Sequence, residues 1–218
     1  MPEPKTKPDC RRKLTLIALG ANLSSLAGAP ADSLRFALKL INRHDRLLLG
    51  PVSRLFASAA FPAGSGPDYV NACAMLETDL SPEALLALLH GIEASMGRSR
   101  DGSRWGARGI DIDLLAMGDL VLPDAPTHDL WRELASGEQA RVAPDRLILP
   151  HPRLQDRAFV LVPLAEIAPG WCHPRLGLSV AEMLDALPAA DRAAVRVLLD
   201  NRAPTGQVTG FVPSDSNR

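Results

Sequence analysis

Two aspartates, Asp111 and Asp113, stand two residues apart in the alternating run IDIDLLAM of residues 110–117. This alternation predicts a β-strand, in which residues two apart project from the same face. Like charges at that separation are costly unless a cation lies between them, and carboxylate oxygens on a rigid strand suit Mg²⁺. The pair is therefore a candidate magnesium site. The alternative is a solvated strand face that pairs with nearby arginines.

The segment just before that strand, RSRDGSRWGARG at residues 98–109, combines cations with glycines. It is too polar and too rich in glycine for a helix or a strand, so it is predicted to be a loop. Its phosphate-binding candidates are Arg98, Arg100, Arg104 and Arg108, with Trp105 among them. Phosphate-binding cations beside metal-binding carboxylates are typical of phosphoryl transfer. We expect the loop to close over a nucleotide, and a solvated charged run is the alternative.

Two further stretches could contact a ligand. In YVNACAML, residues 69–76, alternation places Tyr69 and Asn71 on one face of a predicted strand and Val70 on the opposite, core face. Taken alone, this pattern favours a half-exposed tyrosine with an asparagine beside the strand ladder. The alternative is a ligand site, because an aromatic ring and an amide on one face can stack on a flat heterocycle and hydrogen-bond its edge. His151 lies between two prolines that hold it rigidly, and a purely structural role is the alternative there.

The elements that must position these residues alternate between strand and helix patterns. Strands are predicted at residues 14–20, 47–58, 69–76, 110–117 with a return run at 120–122 that suggests a hairpin, and 147–149. Helices are predicted at 32–44, between an N-cap at Ser81 and Gly97, at 159–167 and from a capping box at 179–182 toward Leu187. This order predicts an α+β fold, a mostly antiparallel sheet with helices packed on it.

The composition is that of a globular protein, with 218 residues, 46% of them hydrophobic and 22% charged. Its length favours a single domain, which we place at residues 14–200, between flexible tails at 1–13 and 201–218. A polar insertion at 123–145 has one possible helical turn near 130–134 and no recognisable chemistry. The formal net charge of -1 argues against nucleic acid or an anionic membrane as a partner.

Cysteine usage and the first residues predict the compartment. Cys10, Cys73 and Cys172 are odd in number and widely spaced, so a reducing compartment is expected. Residues 1–13 combine proline and charge without an apolar run, unlike a secretory signal, and no apolar stretch approaches the roughly 20 residues that span a bilayer. We therefore expect a cytoplasmic protein.

Four motifs together resemble one enzyme family. They are GAN at residues 20–22, PDYVNACAMLET at 67–78, GRSRDGSRWGARGIDIDLLAMG at 97–118 and LILPHPRLQDRAFVLVPLAEIAP at 147–169. The chain resembles the 6-hydroxymethyl-7,8-dihydropterin pyrophosphokinases of folate biosynthesis over residues 14–187. The string R-W-G-x-R-x-x-D-x-D is highly specific, and the later P-H followed by R-x-F strengthens the match.

The resemblance implies a ferredoxin-like fold and transfer of the β,γ-pyrophosphoryl group of ATP to the hydroxymethyl oxygen of a dihydropterin, with release of AMP. Two Mg²⁺ ions are implied, held by Asp111 and Asp113. The implied catalytic residues are Arg98, Arg108, Asp111 and Asp113. The implied ATP-binding residues are Arg98, Arg100, Arg104, Trp105, Arg108, Arg146, His151 and Arg157. The implied pterin-binding residues are the aromatics Tyr69 and Phe159, the amide of Asn71, and Asp111.

The chain departs from the family pattern at several positions. Ala21 stands where the first-strand signature usually has serine, and Ser58, Ala59 and Ala60 stand where the first mobile loop usually reads T-P-P. Ile148 replaces a threonine often found before the P-H pair. These changes bear on loop geometry and nucleotide affinity more than on activity, because the metal, arginine and aromatic positions are intact.

Two other functions fit parts of the sequence. A ferredoxin-like sheet with exposed aromatics and an arginine-rich loop could bind single-stranded RNA, although aromatic residues make up only 4% of the chain. A Mg²⁺-dependent phosphodiesterase would need a base for water, and none is identified. A pyrophosphokinase that binds ATP and 6-hydroxymethyl-7,8-dihydropterin is the function the residues favour.

Overall fold

The apolar run near the start of the chain forms a central strand of one antiparallel sheet. The computed structural model of the protein describes residues 12–60, 66–97, 109–135, 138 and 142–198. Its strands are β1 (Lys13–Ala21), β2 (Leu47–Val52), β3 (Phe56–Ser58), β4 (Tyr69–Thr78), β5 (Asp111–Met117) and β6 (Arg196–Val197). The hydrogen-bonded order is β5-β1-β4-β3-β6, and β2 pairs with β4 as well. The predicted mostly antiparallel sheet is therefore confirmed.

Helices follow β1 and β4 and then dominate the second half of the chain. The described helices are α1 (Pro30–Asn42), α2 (Pro82–Ser95), α3 (Ala125–Glu133), α4 (Ala158–Ile167), α5 (Val180–Ala186) and α6 (Ala189–Ala194). Ser81 caps α2 as predicted, because its side-chain oxygen accepts a hydrogen bond of 3.2 Å from the backbone N–H of Ala84. Ser179 and Glu182 form the predicted capping box at the start of α5.

The sheet packs against helices on both faces. One face places Ile17 and Leu19 of β1 in a buried cluster with α1 and α2. The other face places Leu16 in a second cluster with α4 and α5. The predicted core face of β4, with Val70, lies in the first cluster. The second face is closed over only part of its area, since Tyr69 at the start of β4 is half-buried.

The strand predicted at residues 47–58 is interrupted, and β2 and β3 pair with different parts of β4. Ser53 lies in the break. Its hydroxyl donates to the carbonyl of Arg54 at 2.8 Å and accepts from the backbone N–H of Cys73 at 2.9 Å. The side chain thus replaces one backbone partner of Cys73, while the backbone N–H of Ser53 still donates to the Cys73 carbonyl at 2.9 Å, so the ladder is irregular here.

The prediction of a hairpin between β5 and residues 120–122 is wrong. Leu122 instead exchanges backbone hydrogen bonds of 2.8 and 3.2 Å with Leu149, as an isolated bridge. The carbonyl of Leu115 on β5 accepts the backbone N–H of His151 at 2.7 Å. The segment around His151 therefore lies along β5 where the hairpin partner was expected, and the predicted strand at residues 147–149 is reduced to this one bridge.

The insertion at residues 123–145 contains a longer helix than the predicted turn at 130–134. Asp124 caps α3 by accepting the backbone N–H of Thr127 at 2.9 Å. On α3, the fully buried His128 has its Nε2 3.0 Å from the carbonyl oxygen of Pro150. The insertion therefore braces the turn that carries His151.

Several predictions concern residues that lie outside the part of the chain that the structure describes. Residues 98–108 of the predicted loop, residues 1–11 of the first tail and the whole tail at 201–218 lie outside the described residues. Among the helices that the structure describes, none is long and apolar enough to cross a membrane.

Candidate active site

One row of residues crosses three strands on the partly open face of the sheet. Asn71 of β4 is the register partner of Gly20 on β1, and Asp111 of β5 is the partner of Gly20 on its other side. Register partners in antiparallel strands share a face, so the amide and the carboxylate flank the glycine on one surface. Asn71 is 5% exposed and Asp111 is half-buried.

The next row on the same face contains Asp113, with Ala18 and Cys73 beside it. Ile112, between the aspartates in sequence, is buried against the opposite face, so the expectation that Asp111 and Asp113 project together is met. Burial, with the Asp113 carboxylate adding to it, raises the pKa of the Cys73 thiol. Cys73 therefore adds no charge to this row.

Gly20 leaves a gap in this surface. A Cβ atom added there would lie 3.6 Å from Oδ1 of Asn71 and 4.0 Å from Cδ1 of Tyr69. These are ordinary contact distances, so the glycine gives the surface a flat floor of backbone rather than relieving a clash. A planar ligand resting on that floor would have the amide on one side and Asp111 on the other.

Arg157 and Phe159 border the carboxylates from the start of α4. Nη1 of Arg157 is 3.6 Å from Oδ2 of Asp113, and its guanidinium lies over the ring of Phe159 at 5.6 Å from the centroid. Burial lowers the pKa of Arg157, and the Asp113 carboxylate opposes that shift. Phe159 is 38% exposed although it belongs to an apolar helix. The structure thus brings a cation, an anion and an accessible aromatic face together.

His151 lies in the same neighbourhood as a neutral imidazole. Its Nδ1 accepts the backbone N–H of Arg153 at 3.1 Å, which leaves the proton on Nε2. Burial lowers the pKa of His151 to about 3, the Arg157 guanidinium adds to the shift, and Asp111 opposes it. The side chain can therefore donate a hydrogen bond from Nε2 at neutral pH without adding charge.

Of the other arginines expected here, the structure describes Arg146, and its ion pair is with a residue other than Asp111 or Asp113. Arg146 is exposed, and its Nε pairs with Oδ1 of its neighbour Asp145 at 3.4 Å. The remaining candidates, Arg98, Arg100, Arg104, Trp105 and Arg108, lie outside the described residues.

The two glycines that flank that arginine segment are described, and both lie beside the turn after β1. Gly97 follows α2 with a positive φ of 93°, and a Cβ on it would lie 3.7 Å from the Leu26 side chain. A Cβ on Gly109 would lie 3.1 Å from Cβ of Ser25. Both flanks therefore line one cleft of about 430 Å³, together with residues 23–26 of the turn after β1.

Sequence reasoning missed Glu93, a buried carboxylate on α2 that is 1% exposed. Its Oε1 accepts the backbone N–H of Ile112, the residue between the two aspartates, at 2.7 Å. The helical spacing indicates this burial, since Glu93 stands four residues after the buried Leu89 and so falls on the apolar face of the helix. Glu93 ties α2 to the strand that carries the candidate metal ligands.

Replacing Glu93 by alanine is expected to lower the free energy of unfolding by about 1–3 kcal/mol, because the buried N–H of Ile112 loses its acceptor. Urea titration of the folded protein measures this loss. Glu83→Ala, at an exposed position in the first turn of the same helix, is the matched control and should cost less. Equal losses in the two variants would contradict a bracing role for Glu93.

Carboxylates, an arginine and a neutral histidine on one face can together hold a metal ion and stabilise phosphate charge, which is the chemistry of a phosphoryl-transfer enzyme. The family model of 7,8-dihydro-6-hydroxymethylpterin-pyrophosphokinase (HPPK) matches residues 16–169. The chain belongs to this family. Membership favours the transferase over the RNA-binding alternative.

Curated relatives support the assignment. A protein of Synechocystis sp. named 2-amino-4-hydroxy-6-hydroxymethyldihydropteridine pyrophosphokinase is 37% identical over 170 residues, which are 78% of this chain and 74% of the relative. A protein of the same name from Pseudomonas aeruginosa is 37% identical over 172 residues, which are 79% of this chain and 90% of the relative.

Among solved structures, the wild-type HPPK-DHPS of Plasmodium falciparum is similar with a TM-score of 0.56 and 13% sequence identity. The similarity covers 82% of this chain and 45% of the solved chain. At this identity the likeness concerns the fold alone, and this chain spans less than half of that solved chain.

Proposed function

We propose that this protein transfers the pyrophosphoryl group of ATP to the hydroxymethyl group of 6-hydroxymethyl-7,8-dihydropterin, giving the dihydropterin diphosphate and AMP in tetrahydrofolate biosynthesis. Family membership supports the reaction. In the structure, the row formed by Asn71, Gly20 and Asp111 carries the proposal. A heterocycle on the Gly20 floor would be recognised by the amide and would direct its hydroxymethyl group toward the carboxylates.

We propose Asp111 and Asp113 as the ligands of two Mg²⁺ ions, with Asp111 also facing the pterin. Both carboxylates project from one rigid strand and are half-buried, which fits a hard cation. Among the described residues, no group of three or more His, Cys, Asp or Glu side chains could hold a metal. Two carboxylates still fit Mg²⁺, because it commonly takes water and substrate phosphate oxygens as its other ligands. When bound, it neutralises charge on the transferring group.

Arg157, a cation, and the neutral His151 would bind the triphosphate of ATP. Arg157 offers a guanidinium beside Asp113, and His151 offers an N–H at Nε2 that adds no charge. Such donors stabilise phosphate charge best where solvent is excluded, and both side chains are half-buried. We also propose that ATP is bound by Arg98, Arg100, Arg104, Trp105, Arg108 and Arg146. Of these, Arg98 and Arg108 would act directly on the pyrophosphoryl group that is transferred.

Tyr69 and Phe159 would hold the two faces of the pterin, and Asn71 would bind its edge. Tyr69 stands next to the Gly20 gap, and Phe159 keeps 38% of its surface exposed at the start of α4. Exposure of a large aromatic on an otherwise apolar helix is explained by a ligand that covers it.

Phe159→Ala is expected to weaken pterin binding about 10- to 100-fold, because one stacking face is lost. ATP binding should change much less, and calorimetric titration of each ligand separates the two effects. Phe36→Ala, an aromatic of α1 with 43% exposure, serves as the control and should leave both affinities unchanged. Equal weakening of both ligands in Phe159→Ala would point to a packing role instead.

The proposed reaction is tested by incubating the protein with ATP, Mg²⁺ and 6-hydroxymethyl-7,8-dihydropterin and separating the nucleotides. AMP should accumulate in step with the pterin diphosphate. Formation of ADP, or of AMP without phosphorylated pterin, would exclude pyrophosphoryl transfer to this acceptor.

We also propose a ferredoxin-like fold within a single pyrophosphokinase domain at residues 14–200. The chain order β1, α1, β2 with β3, β4, α2, β5 supports it, because β2 and β3 both pair with β4 and β1 lies between β4 and β5.

A further inference from the structure

The side chain of Asn71 is held by a residue of the neighbouring strand. Its Nδ2 donates a hydrogen bond of 2.9 Å to Oγ of Ser58 on β3. Ser58 is the register partner of Tyr69, and Phe56 is the partner of Asn71, so the serine stands beside the proposed pterin contacts. With Asn71 only 5% exposed, the carboxamide has little freedom to move as a whole.

In the structure, this hydrogen bond goes with one orientation of the Asn71 carboxamide, in which the Ser58 hydroxyl accepts and Oδ1 is left for the ligand space. With Nδ2 turned to Ser58, Oδ1 points to the gap above Gly20, 3.6 Å from the position that a Cβ of residue 20 would take. A carbonyl oxygen accepts hydrogen bonds and cannot donate them. A ligand on the Gly20 floor therefore meets an acceptor at this side of the pocket, on the row that ends at Asp111.

We propose that Ser58 is a specificity-determining positioning residue, which fixes the Asn71 carboxamide so that the pocket selects heterocycles with N–H donors on the edge that faces it. The inference rests on the proposed function, since it assigns a ligand preference to the same pocket. A pterin fits because its 2-amino group and ring N–H are donors. A heterocycle of the same shape with an oxo group at that position would set oxygen against oxygen.

Ser58→Ala tests this role by direct titration of 6-hydroxymethyl-7,8-dihydropterin. The dissociation constant of the pterin should rise about 10-fold, the value expected when one hydrogen bond is lost, and that of ATP should change less than about twofold. Ser58→Thr keeps the hydroxyl and should bind the pterin with wild-type affinity. Preference for the pterin over its 2-oxo analogue, 6-hydroxymethyl-7,8-dihydrolumazine, should fall in Ser58→Ala.

A double-mutant cycle shows whether Ser58 acts through Asn71. In the Asn71→Ala background, Ser58→Ala should have no further effect on pterin affinity. Independent effects of the two substitutions, or an unchanged preference between pterin and lumazine in Ser58→Ala, would overturn the role given to Ser58 while leaving the proposed reaction intact. Wild-type protein that binds no pterin would overturn the proposed function and this inference together.

Discussion

Asp111→Asn and Asp113→Asn are each expected to lower the turnover number at least about 100-fold, a loss of about 2.7 kcal/mol in the barrier. Asparagine keeps the volume of the side chain but removes the charge that the proposed metal ions need. The effect should appear in steady-state production of AMP at saturating ATP and pterin. Raising the Mg²⁺ concentration should recover little of it, because the charge that holds the metal against the transferring group is gone.

Asp119→Asn is the matched control for this experiment, since that aspartate is exposed in the turn just after β5. It should keep full turnover, and all three variants should unfold at similar urea concentrations. Retention of more than about a tenth of wild-type turnover in either Asp111→Asn or Asp113→Asn would contradict the two-metal proposal.

Gly20→Leu is expected to weaken pterin binding at least about 100-fold, because a leucine side chain would occupy the space over the floor between Asn71 and Asp111. ATP affinity should fall far less, since the described groups proposed for ATP, namely Arg146, His151 and Arg157, lie in the segment that precedes α4 rather than on β1 or β4. Separate titrations of pterin and ATP against the folded variant measure both effects.

Gly20→Ala separates occupancy of the pocket from disturbance of the strand. The contacts that a Cβ would make there, 3.6 Å to Asn71 and 4.0 Å to Tyr69, are ordinary, so alanine should be tolerated with a much smaller loss. Pterin affinity that stays at the wild-type level in Gly20→Leu would mean that the ligand binds elsewhere.

The sequence predicted which residues share a face, but it could not predict which strands adjoin. Alternation alone grouped Asp111 with Asp113 and Tyr69 with Asn71, and burial in the structure agrees with it. The row across Gly20 depends on register between distant strands, which is a property of the assembled sheet. The importance of this glycine therefore became visible only in the fold.

The errors and omissions have the same physical origin. Residues 120–122 have the pattern of a hairpin strand, but the edge of β5 pairs with the backbone of His151, which is 36 residues from Leu115 in sequence. Glu93 and His128 are polar residues buried by tertiary contacts, with Ile112 and Pro150 respectively. Local patterns do not encode such partners. The roles of the arginines at 98–108 stay predictions, because these residues lie outside the described part of the chain.

The floor at Gly20 also bears on how this enzyme could escape an inhibitor. A compound that rests on the backbone of β1 touches atoms that every amino acid shares, so substitution cannot remove its contacts. Substitution can only add a side chain, and any group large enough to displace the compound would fill the space that we assign to the substrate. Resistance would then have to arise at the rim, at side chains such as Phe159, where contacts with drug and substrate can be changed separately.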